Sequence, residues 1–263
     1  MTTFRAPALI LACLAALTAT ASSAEEGDLA SVEVVDGWQT PEGSRMAGLR
    51  IRVAPGWKTY WRAPGETGVP PQFDWSGSDN LQAVRIFWPR PEIFDFGDHR
   101  TLGYSGEVVL PVELIPQDAS RPVRVAGRAE LGLCRDICVA VSKGYIVEGA
   151  AAAPEIRAAM ARQPQPDGLG EVRCQMEPIA DGMRLTASMS APAQGGDEMA
   201  VVELPGGDIW VSQPELRREG GRVIATADLV PPEARPFAVD RSQLRITLLG
   251  RDGAREAQGC LGG

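Results

Sequence analysis

Two cysteines, Cys134 and Cys138, stand four positions apart, and their type and spacing suit thiol–disulfide exchange. A disulfide between such thiols can be opened by a partner thiolate and closed again. In an extended strand the two Cα atoms would be about 13 Å apart, whereas a disulfide accepts roughly 4.4–6.8 Å. The chain must therefore turn at residues 135–137 for the sulfurs to bond, either as one helical winding or as a tight loop between strands.

The first 24 residues have the composition of a secretory signal peptide. Arg5 provides the basic start, residues 6–19 form an apolar run, and Ser22-Ser23-Ala24 fits the small-x-small cleavage rule. The apolar run is shorter than the about 20 residues that cross a bilayer. We expect cleavage after Ala24, export to the periplasm, and no stable membrane insertion of the mature protein.

Four cysteines remain after Cys13 is assigned to the signal peptide. In an oxidising compartment an even number of cysteines is typical of two disulfides. Closing a ring of about 5 residues stabilises a fold by about 2 kcal/mol, and closing one of about 87 residues by about 4.6 kcal/mol. We therefore predict that Cys174 and Cys260 form a structural disulfide. For Cys134 and Cys138 spacing alone leaves two possibilities, a redox-active pair or a small loop staple.

Charge and histidine content exclude several function classes. The chain carries 34 Asp and Glu against 26 Lys and Arg, so it is a poor candidate for binding nucleic acid. With His99 as the single histidine, a zinc site with several imidazole ligands cannot be built. We predict no metal and no other cofactor. If the chain is an enzyme, it is a protein-disulfide reductase.

Both halves of the chain consist of short runs rich in Val, Ile and Leu, separated by turn residues, which is typical of β-sandwiches. The predicted strands are 31–38, 47–53, 83–88, 107–115, 123–131, 145–148, 172–177, 184–190, 199–204, 209–212, 223–229 and 244–249. A short helix is predicted at 154–162, before a Pro/Gly stretch. We predict an all-β protein with two immunoglobulin-like sandwich domains at 25–150 and 169–263, joined by a linker at 151–168.

An ordered series of motifs resembles the periplasmic N-terminal domain of the thiol–disulfide interchange protein DsbD and of its relative ScsB. The series runs through Ala54-Pro-Gly-Trp-Lys-Thr-Tyr-Trp-Arg-Ala-Pro-Gly65, Gly68-Val-Pro-Pro-Gln-Phe-Asp-Trp75, Phe94-Asp-Phe-Gly97, Gly103-Tyr-Ser-Gly-Glu-Val-Val-Leu-Pro111 and the Cys134/Cys138 segment. The resemblance covers about residues 31–148. It implies an immunoglobulin-like fold whose cysteine pair takes electrons from a membrane-embedded DsbD-like partner and passes them to periplasmic thioredoxin-like proteins.

The same resemblance implies roles for individual residues. Cys138 would form mixed disulfides with partners, and Cys134 would resolve them. The segment 94–97 corresponds to the family's cap loop, in which an aromatic ring covers the disulfide, and we expect Phe96 to be that ring. The residues themselves, rather than the resemblance, leave two roles open for each of two neighbours. Asp95 would either place negative charge near a thiol, which favours its protonated form, or be a solvated loop charge. Tyr104 would either line the site or pack a turn.

Two departures from the family limit these implications. Three residues separate the cysteines where the best-known member has more, and this chain lacks the transmembrane and C-terminal thioredoxin-like regions of full-length DsbD. The electron donor is therefore expected to be a separate polypeptide. The alternative function is a non-redox binding or copper-tolerance accessory in which both disulfides are staples. The pathway that the protein serves can be cytochrome c biogenesis, disulfide isomerisation or copper tolerance.

Overall fold

The computed structural model describes residues 29–96, 99–206 and 208–263. The predicted signal peptide and Cys13 lie outside these ranges, as do Gly97 and Asp98 of the predicted cap loop. The backbone of Phe96 is described, whereas its side chain is not.

The first half is built from strands β1 to β10. Their bounds are Ala30–Gln39 (β1), Arg45–Val53 (β2), Lys58–Tyr60 (β3), Gln72–Asp74 (β4), Leu81–Ile86 (β5), Glu92–Phe96 (β6), His99–Ser105 (β7), Glu107–Pro116 (β8), Arg128–Cys134 (β9) and Cys138–Ala151 (β10). They hydrogen-bond in the order β5-β8-β2-β1-β10-β9-β3-β7-β6, and β4 pairs with β9.

Strand β10 turns this continuous sheet into a sandwich because its two ends pair with different partners. Residues 138–144 lie antiparallel to β9, and Tyr145 onwards runs parallel to β1. Alternate residues of the facing strands fill the space between the layers, among them Leu49, Leu110 and Leu133. Burial of such apolar surface is the main term that stabilises the fold.

The second half forms another sandwich. Its strands are Gln165–Pro166 (β11), Arg173–Pro178 (β12), Met183–Met189 (β13), Met199–Glu203 (β14), Trp210–Val211 (β15), Glu215–Glu219 (β16), Arg222–Val230 (β17), Arg245–Leu249 (β18), Ala254–Gln258 (β19) and Leu261–Gly262 (β20). One sheet has the order β11-β19-β18-β14, and the other β15-β17-β13-β12-β20 with β16 on β17. A disulfide joins Cys174 to Cys260, with Cα atoms 5.8 Å apart.

Helix α1, Ala153–Ala161, packs on strands β1, β2 and β8 of the first sandwich. Its buried Ile156 contacts the outer face of β1 and β8 through Val35 and Val109. Within the described ranges no helix is long and apolar enough to cross a membrane. The structure confirms the expectation of an all-β chain with immunoglobulin-like sandwich architecture.

The two sandwiches share a buried interface beside the loop that follows β3. Arg62 forms ion pairs there with Glu203 and Glu256 of the second sandwich, and its guanidinium stacks 4.1 Å from the Trp61 ring centre. Met199 and Val201 join the core of the first sandwich. The loop after β3 is therefore fixed from both sides.

Candidate functional site

A hairpin between β9 and β10 brings Cys134 and Cys138 together. The two residues are directly paired across the strands, the Arg135 N–H donates to the Ile137 carbonyl at 3.1 Å, and the Cα atoms of the cysteines lie 4.2 Å apart. The sulfurs are joined in a disulfide. Of the two turns that the spacing allowed, the structure has the tight loop between strands.

The two cysteines differ in their access to solvent. Cys134 is 1% exposed, whereas Cys138 is exposed at the end of the hairpin beside Ile137, which is 65% exposed. An attacking thiolate must approach one sulfur in line with the disulfide bond. Cys138, the exposed residue of the pair, is therefore the accessible target, and the sulfur of Cys134 is the leaving group in that attack.

The Tyr60 hydroxyl contacts this disulfide. Its oxygen lies 2.7 Å from Cys134 Sγ and 3.7 Å from Cys138 Sγ. Because a disulfide sulfur carries no hydrogen, the hydroxyl is the donor. Burial raises the pKa of Tyr60, so the phenol keeps its proton at neutral pH and remains a donor.

The position of Tyr60 follows from the alternation of side chains along β3. The neighbouring Thr59 and Trp61 do point into the core, and strand alternation then directs Tyr60 to the opposite face. Its ring lies over Gly132 of β9, where an added Cβ would come within 3.1 Å of the ring. The pairing of β3 with β9 shows that this opposite face is the face of the disulfide.

The loop after β3 covers the Tyr60 ring. Gly68 lies against the ring, and Val69 lies against Gly132. Val69 is 58% exposed. Val69 and Ile137 are therefore two exposed apolar side chains, one beside β9 and one in the turn between the cysteines.

The turn between the cysteines is held by Arg135. Its guanidinium lies 5.2 Å from the Trp57 ring centre and pairs with the Asp136 carboxylate at 2.9 Å. Gly56, at φ +81°, brings the backbone close to the Arg135 side chain. The Asp136 side chain itself is exposed, so its charge is largely solvated.

Residues 94–96 of the predicted cap segment lie in β6, which forms the antiparallel β6–β7 hairpin at the edge of the sheet. The Phe94 ring lies 4.4 Å from Lys58 Nζ and is half-buried. The Asp95 side chain is exposed and lies 3.9 Å from the Arg100 guanidinium. Phe96, the residue predicted to be the cap, pairs with His99 through the backbone and is the last residue of β6.

Tyr104, predicted to line the site, is not brought to the disulfide. It pairs with Thr59 in the sheet and lies in the core, on the face opposite Tyr60. Its hydroxyl donates to the Pro89 carbonyl at 2.7 Å, and burial raises its pKa well above the ordinary value. Tyr104 therefore supports the sheet that carries the site rather than contacting the sulfurs.

No cluster of three or more His, Cys, Asp or Glu side chains able to hold a metal occurs among the described residues. The described chemistry of the site consists of the two sulfurs, the Tyr60 hydroxyl and the aromatic and charged groups around them.

Comparisons with known proteins agree with the geometry of the first sandwich. Residues 29–148 match the family described as thiol:disulfide interchange protein DsbD, N-terminal. The fold of the chain is similar to the crystal structure of the N-terminal periplasmic domain of ScsB from Proteus mirabilis, with a TM-score of 0.64 and 24% sequence identity over 89% of this chain and 92% of that chain. No curated protein matches the sequence. The resemblance inferred from the ordered motifs is confirmed, and the shared fold extends over both sandwiches.

Proposed function

From the match of residues 29–148 to the DsbD N-terminal family, we propose that the chain is a periplasmic thiol–disulfide exchange module acting through Cys134 and Cys138. One observation carries the proposal. The disulfide joins an exposed residue, Cys138, to a buried residue, Cys134, whose sulfur accepts a hydrogen bond from Tyr60. A simple loop staple has no need of that asymmetry.

The exchange proceeds in two steps that conserve electrons. In the reduced module the Cys138 thiolate attacks a disulfide of the partner, forms a mixed disulfide and releases one partner thiolate. The Cys134 thiolate then attacks Cys138 Sγ, closes the Cys134–Cys138 bond and releases the second partner thiolate. Two electrons pass to the partner. The two protons lost by the module's thiols are matched by the two protons that the partner's thiolates take up.

Tyr60 contributes to the steps in which Cys134 carries charge. When a donor thiolate attacks Cys138, the electron pair of the disulfide moves to Cys134 Sγ, which leaves as a thiolate. The Tyr60 O–H points at that sulfur in the oxidised protein. Hydrogen bonds to charged groups are roughly twice as strong as neutral ones, so the hydroxyl stabilises the leaving thiolate more than the starting disulfide.

We expect Tyr60→Phe to slow the reduction of Cys134–Cys138 by dithiothreitol by about 10- to 100-fold, since a hydrogen bond to a charged group is worth roughly 1.5–3 kcal/mol. The reaction is quenched with an alkylating reagent at successive times, and mass spectrometry of the alkylated protein gives the rate. A wild-type disulfide that is inert to the reductant in the folded protein would overturn the proposed function itself.

Tyr104→Phe is the matched control, because it removes a hydroxyl from the same sheet but from the other face. It leaves the Pro89 carbonyl without its donor and is expected to lower the free energy of unfolding by about 1 kcal/mol while leaving the reduction rate unchanged. Equal slowing in both variants would show that the effect of Tyr60→Phe comes from general loosening of the sheet.

The proposed partners follow from the family and from the exposed surface. A membrane-embedded DsbD-like protein is the electron donor, and periplasmic thioredoxin-like proteins are the acceptors. Val69 and Ile137 provide exposed apolar surface beside β9 and in the turn between the cysteines, while the Tyr60 hydroxyl lies at the sulfur of the buried Cys134. A partner can therefore dock on apolar residues while its sulfur reaches the single exposed cysteine of the pair.

A further inference from the structure

Lys58 lies next to the disulfide in the sheet. It is directly paired with Cys134 across β3 and β9, and it shares the strand face of Tyr60, two residues along. Side chains directly opposite on one face have Cβ atoms about 4.5–5.5 Å apart. The chain has two lysines, Lys58 and Lys143, so this position carries one of its few ammonium groups.

The Lys58 side chain connects strands that are not neighbours. Strands β3 and β6 both pair with β7 and not with each other. The Lys58 ammonium nevertheless lies 4.4 Å from the centre of the Phe94 ring in β6. The contact therefore spans β7 and joins the strand beside Cys134 to the outermost strand of the sheet.

The environment of the ammonium favours this contact. A lysine over an aromatic face is attracted by the ring quadrupole, and the attraction grows as water is excluded. Burial lowers the pKa of Lys58, while the Asp95 carboxylate acts in the opposite direction. Asp95 follows Phe94 directly, so the hairpin supplies both a ring and a negative charge to the same lysine.

The β6–β7 hairpin is attached to the rest of the molecule through β7, whose Arg100 side chain donates to the carbonyls of Asp197 and Glu198. Strand β6 is the last strand of the sheet, and within the described residues its strand partner is β7. A second attachment through Lys58 restricts how far the hairpin can move away from the disulfide face.

From these contacts we propose that Lys58 is a positioning residue, which holds the Phe94 ring and the β6–β7 hairpin over the face of the sheet that carries the disulfide and thereby limits the access of thiolates to it. The inference rests on the proposed exchange function. Among the described residues, the contact that provides this restraint is the one between the Lys58 ammonium and the Phe94 ring.

The test compares reduction of the disulfide by dithiothreitol in Lys58→Met, Phe94→Leu and the double variant. Lys58→Met removes the charge and keeps the length, so we expect reduction to become about 2- to 30-fold faster, the range that a single cation–π contact spans. Phe94→Leu should accelerate it similarly, and the double variant should be no faster than either single variant. Lys58→Arg should restore the wild-type rate within about two-fold, because guanidinium also binds aromatic faces.

Lys143→Met is the matched control, since it makes the same substitution at the other lysine and should leave the rate unchanged. If Lys58 instead acted by its charge on the Cys134 thiolate, Lys58→Met would slow reduction, and that sign would overturn the proposal. Accelerations that multiply in the double variant would overturn it as well, because they would show that the two residues act separately.

Hydrogen–deuterium exchange distinguishes failure of this inference from failure of the exchange function. Amides of β6 should exchange faster in Lys58→Met than in the wild type, by a factor similar to the change in rate, whether or not the disulfide is redox-active. Unchanged exchange in β6 would overturn the restraint even if the wild-type disulfide is readily reduced.

Discussion

Cys134→Ser is expected to convert the chain into a trap for its partners, whereas Cys138→Ser is expected to yield no adducts. In the first variant the exposed Cys138 thiol still attacks a partner disulfide, but no thiol remains to resolve the mixed disulfide. In the second the remaining cysteine is the 1% exposed Cys134, which a partner cannot approach. The tagged variants are produced in the periplasm, purified after acid quenching and separated without reductant. Mass spectrometry then identifies the mixed-disulfide adducts and their amounts.

We expect near-complete trapping of partners by Cys134→Ser and no trapping by Cys138→Ser. The Cys134→Ser, Cys138→Ser double variant controls for non-covalent capture. Adducts that form equally well on Cys138→Ser would contradict the assignment of Cys138 as the attacking residue, and adducts joined through Cys174 or Cys260 would contradict the assignment of the second pair as structural.

Removing the second disulfide has the largest expected effect on stability. Cys174 and Cys260 are separated by 86 positions, and closing so long a loop stabilises the folded state by about 4.6 kcal/mol in the chain-entropy model. Cys174 is also fully buried in the core of the second sandwich. We expect Cys174→Ala with Cys260→Ala to lower the free energy of unfolding by about 4–5 kcal/mol, measured by urea denaturation.

Cys134→Ala with Cys138→Ala is the matched comparison, because it removes a disulfide that closes a ring of about five residues and is worth about 2 kcal/mol. The variant without Cys174–Cys260 should keep its Cys134–Cys138 exchange rate under native conditions. A smaller loss of stability for the 174/260 pair than for the 134/138 pair would contradict the division into a staple and an exchange pair.

Strands with a clear alternating pattern could be predicted from the sequence to within one residue at each end. Strand β17 was predicted at 223–229 and spans Arg222–Val230, where buried and partly buried residues alternate along its whole length. The helix predicted at 154–162 spans Ala153–Ala161. In both elements one face is buried against a neighbour, so the spacing of the apolar residues predicts the type of element and its extent.

The strands that carry the site were harder to predict. Strand β3 has three residues and β7 reads His99-Arg-Thr-Leu-Gly-Tyr-Ser105, too short or too polar for a strand pattern. Both are held by pairing with neighbours distant in sequence. Strand β9 was predicted at 123–131 but spans Arg128–Cys134, and Arg124 of the predicted range instead forms an isolated bridge with Asp79.

The chemistry of the site was partly visible in the sequence. The cysteine spacing and the ordered motifs indicated the exchange pair, but local patterns carry no information on which cysteine is exposed. The Tyr60 contact with Cys134 joins residues 74 positions apart, so it depends on the register between β3 and β9. The same register brings Lys58 opposite Cys134.

The most direct test of the exchange function is a redox titration of the wild-type protein in mixtures of reduced and oxidised dithiothreitol. Alkylation and mass spectrometry identify which cysteines are free, and circular dichroism follows the fold. We expect Cys134–Cys138 to open and close reversibly while Cys174–Cys260 stays intact and the β-sheet signal is unchanged. Opening of both disulfides together with loss of the fold, or of neither in the folded protein, would contradict the account.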